Sequence, residues 1–215
     1  MRGCVLAGVW GAGKTSVYLR TVARLVKDGC QSLIAMPQAA TITTHTYAPG
    51  QPHEHAANIL SWLDALTAFL EEMDRRFQAS TLPRRRFAPA WTPTCVLEGL
   101  GFDAPMYGLP LDRAVLRDLE KRLGALGVHL VLLRVPDHRI RVQCVESTRL
   151  HRGAKWARYL EGFGPTDSAR ADSIRHAQDN LMRWAQTSPL PLCLIDTATQ
   201  DWDAYARQVT HLLRT

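Results

Sequence analysis

Near the start of the chain, Gly8-Val9-Trp10-Gly11-Ala12-Gly13-Lys14-Thr15 fits the spacing G-x-x-x-x-G-K-[ST] at every fixed position. Each residue type has a chemical reason. Gly8, Gly11 and Gly13, with the small Ala12 between them, let the backbone wrap closely enough for its N–H groups to point at phosphate oxygens. A helix opening here, with Lys14, Thr15 and Ser16 in its first turn, adds the partial positive charge of its N-terminus. Lys14 reaches the terminal phosphates, and the Thr15 hydroxyl is a ligand for Mg²⁺. This chemistry holds a nucleoside triphosphate.

Other residues carry charge where such a site needs it. Glu98 closes the apolar run Cys95-Val96-Leu97, and open α/β sheets hold ligands beyond the carboxyl ends of their strands. An acid there either holds Mg²⁺ or takes the proton of an acceptor, and Asp103, five residues on, is a second acid for the same space. Between residues 134 and 158 stand Arg134, Arg139, Arg141, Arg149, Arg152, Lys155 and Arg158, opposed by Asp137 and Glu146. Arg149 and Arg152 are three apart and share a helical face. A phosphoryl group in flight spreads negative charge over its oxygens, and cations closing over it stabilise that charge. Such a lid also excludes water. The bland alternative is a solvated basic helix.

His45, Tyr47, His53, Glu54 and His55 cluster before a long helical pattern. A His-x-His pair suggests metal, but residues two apart on a helix face away from each other. Polar side chains at a helix entrance are the simpler reading. Trp10, bulky for a phosphate loop, either packs or walls a ligand pocket. Arg75, Arg76 and Arg84 to Arg86 read as solvated loop charges.

The elements that must position these residues alternate. Apolar runs of strand length lie at Gly3–Ala7, Ser32–Met36, Thr94–Glu98, Val128–Arg134 and Pro191–Ile195, the pattern of strands buried on both faces of a parallel sheet. Helical faces fill the gaps. Tyr18, Leu19, Val22, Leu25 and Val26 form one, ended by Gly29. Pro52 to Gln78 has no internal Gly or Pro and repeats Ile59, Leu63, Leu66, Leu70, Met73 and Phe77, predicting a helix of about 40 Å. Its outer face is a candidate homodimer contact. Leu111, Val115, Leu119, Leu123 and Leu126 mark a third. Ile174, Ala177, Leu181 and Trp184, behind Thr166 or Asp167 as N-cap, mark a fourth, and Trp202 to Leu213 a fifth. Alternation predicts a three-layer α/β domain over residues 1–215 with a five-stranded parallel sheet and right-handed crossovers. Residues 37–93 form an acceptor-side helical insertion and 137–165 the lid, with Gly162, Gly164 and Pro165 as its hinge.

The chain resembles the small P-loop kinases, the group containing thymidylate kinase and deoxynucleoside kinases. The resemblance rests on the early phosphate loop with its Gly11–Ser16 wording, the insertion between the second and third strands, and the basic stretch after the fourth. It rests also on Ile195-Asp196-Thr197 leading through Asp201-Trp202 into the last helix. It implies ATP and Mg²⁺ as cofactors, transfer of a phosphoryl group to a small-molecule acceptor, and Thr197 near the nucleotide base. It also implies Lys14, Glu98, Arg149, Arg152 and Asp103 in catalysis, with Thr15 and Glu98 on the metal. Two departures stand out. Glu98-Gly99 replaces the family's acid-Arg pair, and Met36-Pro37-Gln38 stands where deoxynucleoside kinases carry Glu-Pro. Gln38 hydrogen-bonds but is no base. The choices for a base are Glu98, Asp103, His45 and Glu54.

Composition bounds the rest. The 215 residues are 46% hydrophobic and 21% charged, which excludes disorder and a disulfide miniprotein. No apolar run is long enough to span a bilayer. The five cysteines form no CxxC; Cys4, Cys95 and Cys193 fall in predicted strands as buried thiols, and a short apolar start argues against export, so a cytoplasmic protein is expected. The net charge of +6 suits anionic partners, but without basic–aromatic alternation it argues against a nucleic-acid kinase. No Asn/Thr-Lys-x-Asp or Asp-x-x-Gly motif supports a Ras-type switch, leaving a weakly hydrolysing regulatory NTPase as the alternative from another class.

Overall fold

The computed structural model describes residues 1–38, 50–99, 101–102 and 104–214. Five parallel strands run in the order β2-β3-β1-β4-β5. The central strand β1 (Arg2–Gly8) pairs with β3 (Thr94–Glu98) and β4 (Val128–Arg134), with Val5 opposite Leu97 on one side and Leu130 on the other. Cys4, Val5, Leu6, Ala7, Cys95, Val96 and Leu97 are wholly buried, as continuous apolar runs require.

The two remaining strands differ from the sequence expectation. β2 (Leu33–Met36) and β5 (Leu192–Asp196) are the sheet edges and are half-exposed. Leu192 and Leu194 keep 42% and 44% of their surface, and Cys193 is half-buried rather than buried. An apolar run of four or five residues does not encode its place in the sheet. An edge strand has a pairing neighbour on one side only, and less of it is covered.

Helices cover both faces of the sheet. α1 (Lys14–Lys27) packs along the β1–β3 side and against α6 (Trp202–Leu212). Its buried residues are Lys14, Val17, Tyr18, Thr21 and Leu25, so the inward stripe is rotated from the expected one and Leu19 and Val26 face solvent. α2 (Pro52–Ala79) buries Ile59, Leu63, Leu66, Leu70 and Phe77 on the predicted face, with Met73 half-buried. It packs on α3 (Arg113–Ala125), where Arg122 clasps Glu71 with two hydrogen bonds at 2.8 and 2.9 Å and Asp64 at 2.7 Å. α3 opens on Asp112, whose carboxylate accepts from the N–H groups of Ala114 and Val115, and it leaves Val115 exposed.

After β4 the chain winds through short helical turns over 137–151 and then α4 (Gly153–Glu161). α5 (Asp167–Thr187) starts on the Thr166 hydroxyl, which accepts from the Ala169 N–H at 3.2 Å. Among the described residues no helix is long and apolar enough to cross a membrane, and all five cysteines are free thiols.

Candidate active site

The strand order sets the location. From β1 the chain crosses to β2 on one side, and from β3 it crosses back to β4 on the other. The connections diverge at the carboxyl ends of β1 and β3, which leaves a crevice there. The phosphate loop leaves β1 into that crevice.

Two glycines of the loop are dictated by backbone and space together. Gly11 and Gly13 have φ of +78° and +90°, a region L side chains rarely adopt. A Cβ on Gly11 would lie 2.7 Å from the Cα of Cys144, and one on Gly13 would lie 2.2 Å from the Trp202 ring. The loop therefore rests directly on the turn after β4 and on the start of α6. α1 begins at Lys14 with no side-chain cap, so its first N–H groups point into the crevice without intrahelical partners. Lys14 is buried, and its Nζ donates to the carbonyls of Gly8 at 2.5 Å and Val9 at 3.4 Å.

Glu98 ties three elements together. It is 2% exposed. Its Oε1 accepts from the Thr15 hydroxyl at 2.5 Å and its Oε2 from the Gln38 N–H at 3.2 Å. The ends of β2 and β3 and the first turn of α1 thus meet on one carboxylate. Burial and this carboxylate push the nearby Tyr18 phenol up from its ordinary pKa. Thr15 and Glu98 form an adjacent pair of hard oxygens. They fit Mg²⁺, which takes one or two protein oxygens and completes its shell with phosphate and water. Among the described residues no group of three His, Cys, Asp or Glu side chains is placed to hold a metal by itself.

Above this floor opens a cleft of about 670 Å³. One wall comes from the β2–β3 side: Pro37, Gln38, His55 and Ile59 on α2, and Ala104, Tyr107 and Leu109. The opposite wall is the basic helix: Arg152, Lys155, Trp156 and Tyr159. Trp10 joins them, its ring 5.5 Å from Tyr107, 6.1 Å from Tyr159 and 4.5 Å from Phe163. The Arg152 guanidinium lies over the Trp156 ring at 5.0 Å. Burial lowers the pKa of His55, which disfavours a charged ring in this wall.

No family model and no curated protein matches the chain. Solved structures do. The YorR protein from Bacillus subtilis, in complex with phosphorylated GDP, superposes with a TM-score of 0.54 at 12% identity, over 98% of this chain and 94% of that one. The likeness is one of fold, a five-stranded parallel sheet with helices on both faces. A deoxyadenosine kinase from M. mycoides, with dCMP and a flexible dCDP bound, gives 0.48 at 12% identity, over 97% of both chains.

Within this fold the expected residues are placed as follows. Gly11, Gly13, Lys14, Thr15, Glu98 and Arg152 line the cleft together. Gly8, Ala12 and Ser16 shape the loop from behind: Gly8 accepts from Lys14, the Ala12 N–H donates to Val9 at 3.2 Å, and the Ser16 carbonyl accepts from Arg20. Thr197 also stands behind the loop, fully buried, accepting from Gln143 at 3.1 Å and donating to the Arg134 carbonyl at 3.0 Å. Arg149 is not among the lining residues but is paired with Asp167 at the start of α5. The shared helical face with Arg152 is broken because the helix stops there: Arg152 has φ of −114° and Gly153 of +69°. Asp103, His45 and Tyr47 lie outside the described residues.

Sequence reasoning passed over Tyr107, Trp156, Tyr159 and Gln143. The signal for two of them was present, since Trp156 and Tyr159 are three apart on the basic helix and share one face of it. Gln143 had no signal. It is buried in a π-helical turn, Arg141–Glu146, and donates both to the Gly11 carbonyl at 3.3 Å and to Thr197.

Proposed function

We propose that the protein is an ATP-dependent phosphotransferase that moves the γ-phosphoryl group to a small-molecule acceptor of nucleoside, nucleotide or similar hydroxyl type. The observation that carries this reading is the cleft itself. It continues from the phosphate loop past Glu98 into an aromatic-walled space between the lid and the β2–β3 side. A regulatory NTPase needs no such space beside its phosphates.

In this reading the loop N–H groups and Lys14 hold the triphosphate, and Arg152 and Lys155 close over it and balance the charge spreading onto its oxygens. Thr15 and Glu98 would hold Mg²⁺, which when bound neutralises phosphate charge. Glu98 is also the sole carboxylate among the described lining residues, which makes it the candidate base. The acceptor hydroxyl oxygen bonds to the γ-phosphorus, the bond from that phosphorus to the bridging oxygen of ADP breaks, and the hydroxyl proton leaves to Glu98. Arg149 acts from one step away, by fixing the lid on α5 through Asp167. A cytoplasmic location and a homodimer through the outer face of α2, where Phe69 is 51% exposed, belong to the same reading.

The test is ADP release over a panel of hydroxyl compounds and nucleotides. The expected result is release that depends on one acceptor class and falls at least about 100-fold in Lys14→Ala. Turnover in Lys14→Ala equal to the parent, or hydrolysis indifferent to every acceptor, overturns the kinase reading.

A further inference from the structure

The cleft is electrically lopsided. Its cations are Lys14 on the phosphate loop and Arg152 and Lys155 on the lid. The wall on the β2–β3 side carries none: Pro37, Gln38, Ile59, Tyr107 and Leu109 are neutral, and burial disfavours a charged ring on His55. The sequence extends this beyond the described residues. No Lys or Arg occurs between Lys27 and Arg75, or between Arg86 and Arg113, the two stretches that supply this wall. Among the described residues that line this wall, the one charged group is Glu98.

An acceptor that arrives with its own phosphate or carboxylate needs a cation to replace its water shell. Here it would meet an apolar and aromatic surface and the carboxylate of Glu98. The lid cannot substitute in this reading, because Arg152 and Lys155, with Lys14 and Mg²⁺, are already engaged by the triphosphate. Flat apolar surface, by contrast, suits the space between the walls, where Trp10 of the loop meets Tyr107 at 5.5 Å and, on the lid, Trp156 meets Tyr159 at 5.7 Å, edge to face.

Building on the kinase reading, we infer that the acceptor half of the cleft takes an uncharged, ring-bearing alcohol and rejects the phosphate ester of that alcohol. The consequence is a single phosphorylation. The ester formed carries two new negative charges, leaves a wall that does not compensate them, and is not taken up again as an acceptor. Any further phosphorylation falls to a different enzyme class that binds anionic acceptors.

The experiment uses matched pairs, each a ring-bearing alcohol and its own monophosphate: nucleosides, pyridine methanols and arylalkyl alcohols. Two readouts are taken on the full chain. ADP release reports transfer, and thermal shift with a non-hydrolysable ATP analogue reports occupancy of the cleft with no transfer required. The expected result is an alcohol favoured over its ester by about 100-fold or more in at least one pair, the scale on which uncompensated like charge acts. Gln38→Arg, which places a guanidinium on the neutral wall, should cut that preference at least about tenfold, with retained binding of the ATP analogue showing that it folds. An ester bound or phosphorylated as well as its alcohol overturns the inference and leaves the kinase reading standing. Preferential binding of the alcohol without ADP release does the reverse. No binding by any pair overturns both.

Discussion

At the scale of single residues, the phosphate loop is constrained from beneath as much as by its ligand. Gly13 is left-handed and has the Trp202 ring where a side chain would go. Gly13→Ala should lower stability by about 1–3 kcal/mol and weaken ATP binding, from clash and backbone strain together. Adding Trp202→Leu relieves the clash but not the strain, so a double-mutant cycle in thermal melts should show partial recovery. Glu120 makes a different argument. It is buried on α3 beneath Trp184, whose Nε1–H donates to it at 2.7 Å, and burial raises its pKa despite that bond. A carboxyl whose folded pKa exceeds its unfolded one binds its proton more tightly in the folded state. Stability is then lost as pH rises from the ordinary carboxylate range through the folded pKa, and stays lost above it. Glu120→Gln keeps an acceptor for Trp184 and removes the charge. Its Tm should exceed that of the parent at pH 7–8, and the gain should vanish at acid pH. The glycines, Lys14, Thr15 and Glu98 were legible in the sequence because their types are fixed by phosphate chemistry and strand-end position. Glu120 and Gln143 were not, because their partners lie 64 and 54 residues away and no local pattern announces them.

At the scale of elements, the strands were readable almost to the residue, since each is a short apolar run between breakers. Which strands lie at the edges was not, because that depends on pairing order rather than on composition. Helix faces were readable where one stripe is apolar, as on α2. They were misread on α1, where Leu19 and Val26 extend the apolar pattern beyond the buried stripe. The basic segment after β4 read as one helical face, but its break at Arg152–Gly153 sends Arg149 to Asp167 and Arg152 to the cleft. The start of that segment is also held to α5 through a buried side chain. Gln178 accepts from the Val135 N–H and donates to the Val135 carbonyl, each at 2.8 Å, and is 3% exposed. Gln178→Leu strands both backbone groups without water. A loss of about 3 kcal/mol should appear as a fall in Tm of roughly 6–12 °C, with the lid loosened from the end of β4 and weaker binding of ATP.

At the scale of the whole molecule, the candidate site is assembled from segments far apart in sequence. Residues 8–15 carry the phosphate chemistry in the proposed reading, yet Trp202 closes the loop from below and α6 packs along α1. This ordering has a consequence for biosynthesis. A growing polypeptide displays its phosphate-binding residues long before the surface they rest on has been translated. Nucleotide capture therefore waits on the emergence of α6, however early Lys14 leaves the ribosome. In stalled nascent chains of increasing length, retention on immobilised ATP should be absent for chains ending at Gln200 and should appear once residues through Leu213 are free. In the proposed reading, nucleotide binding thus reports that α6 has been made and has docked beneath a loop synthesised long before it.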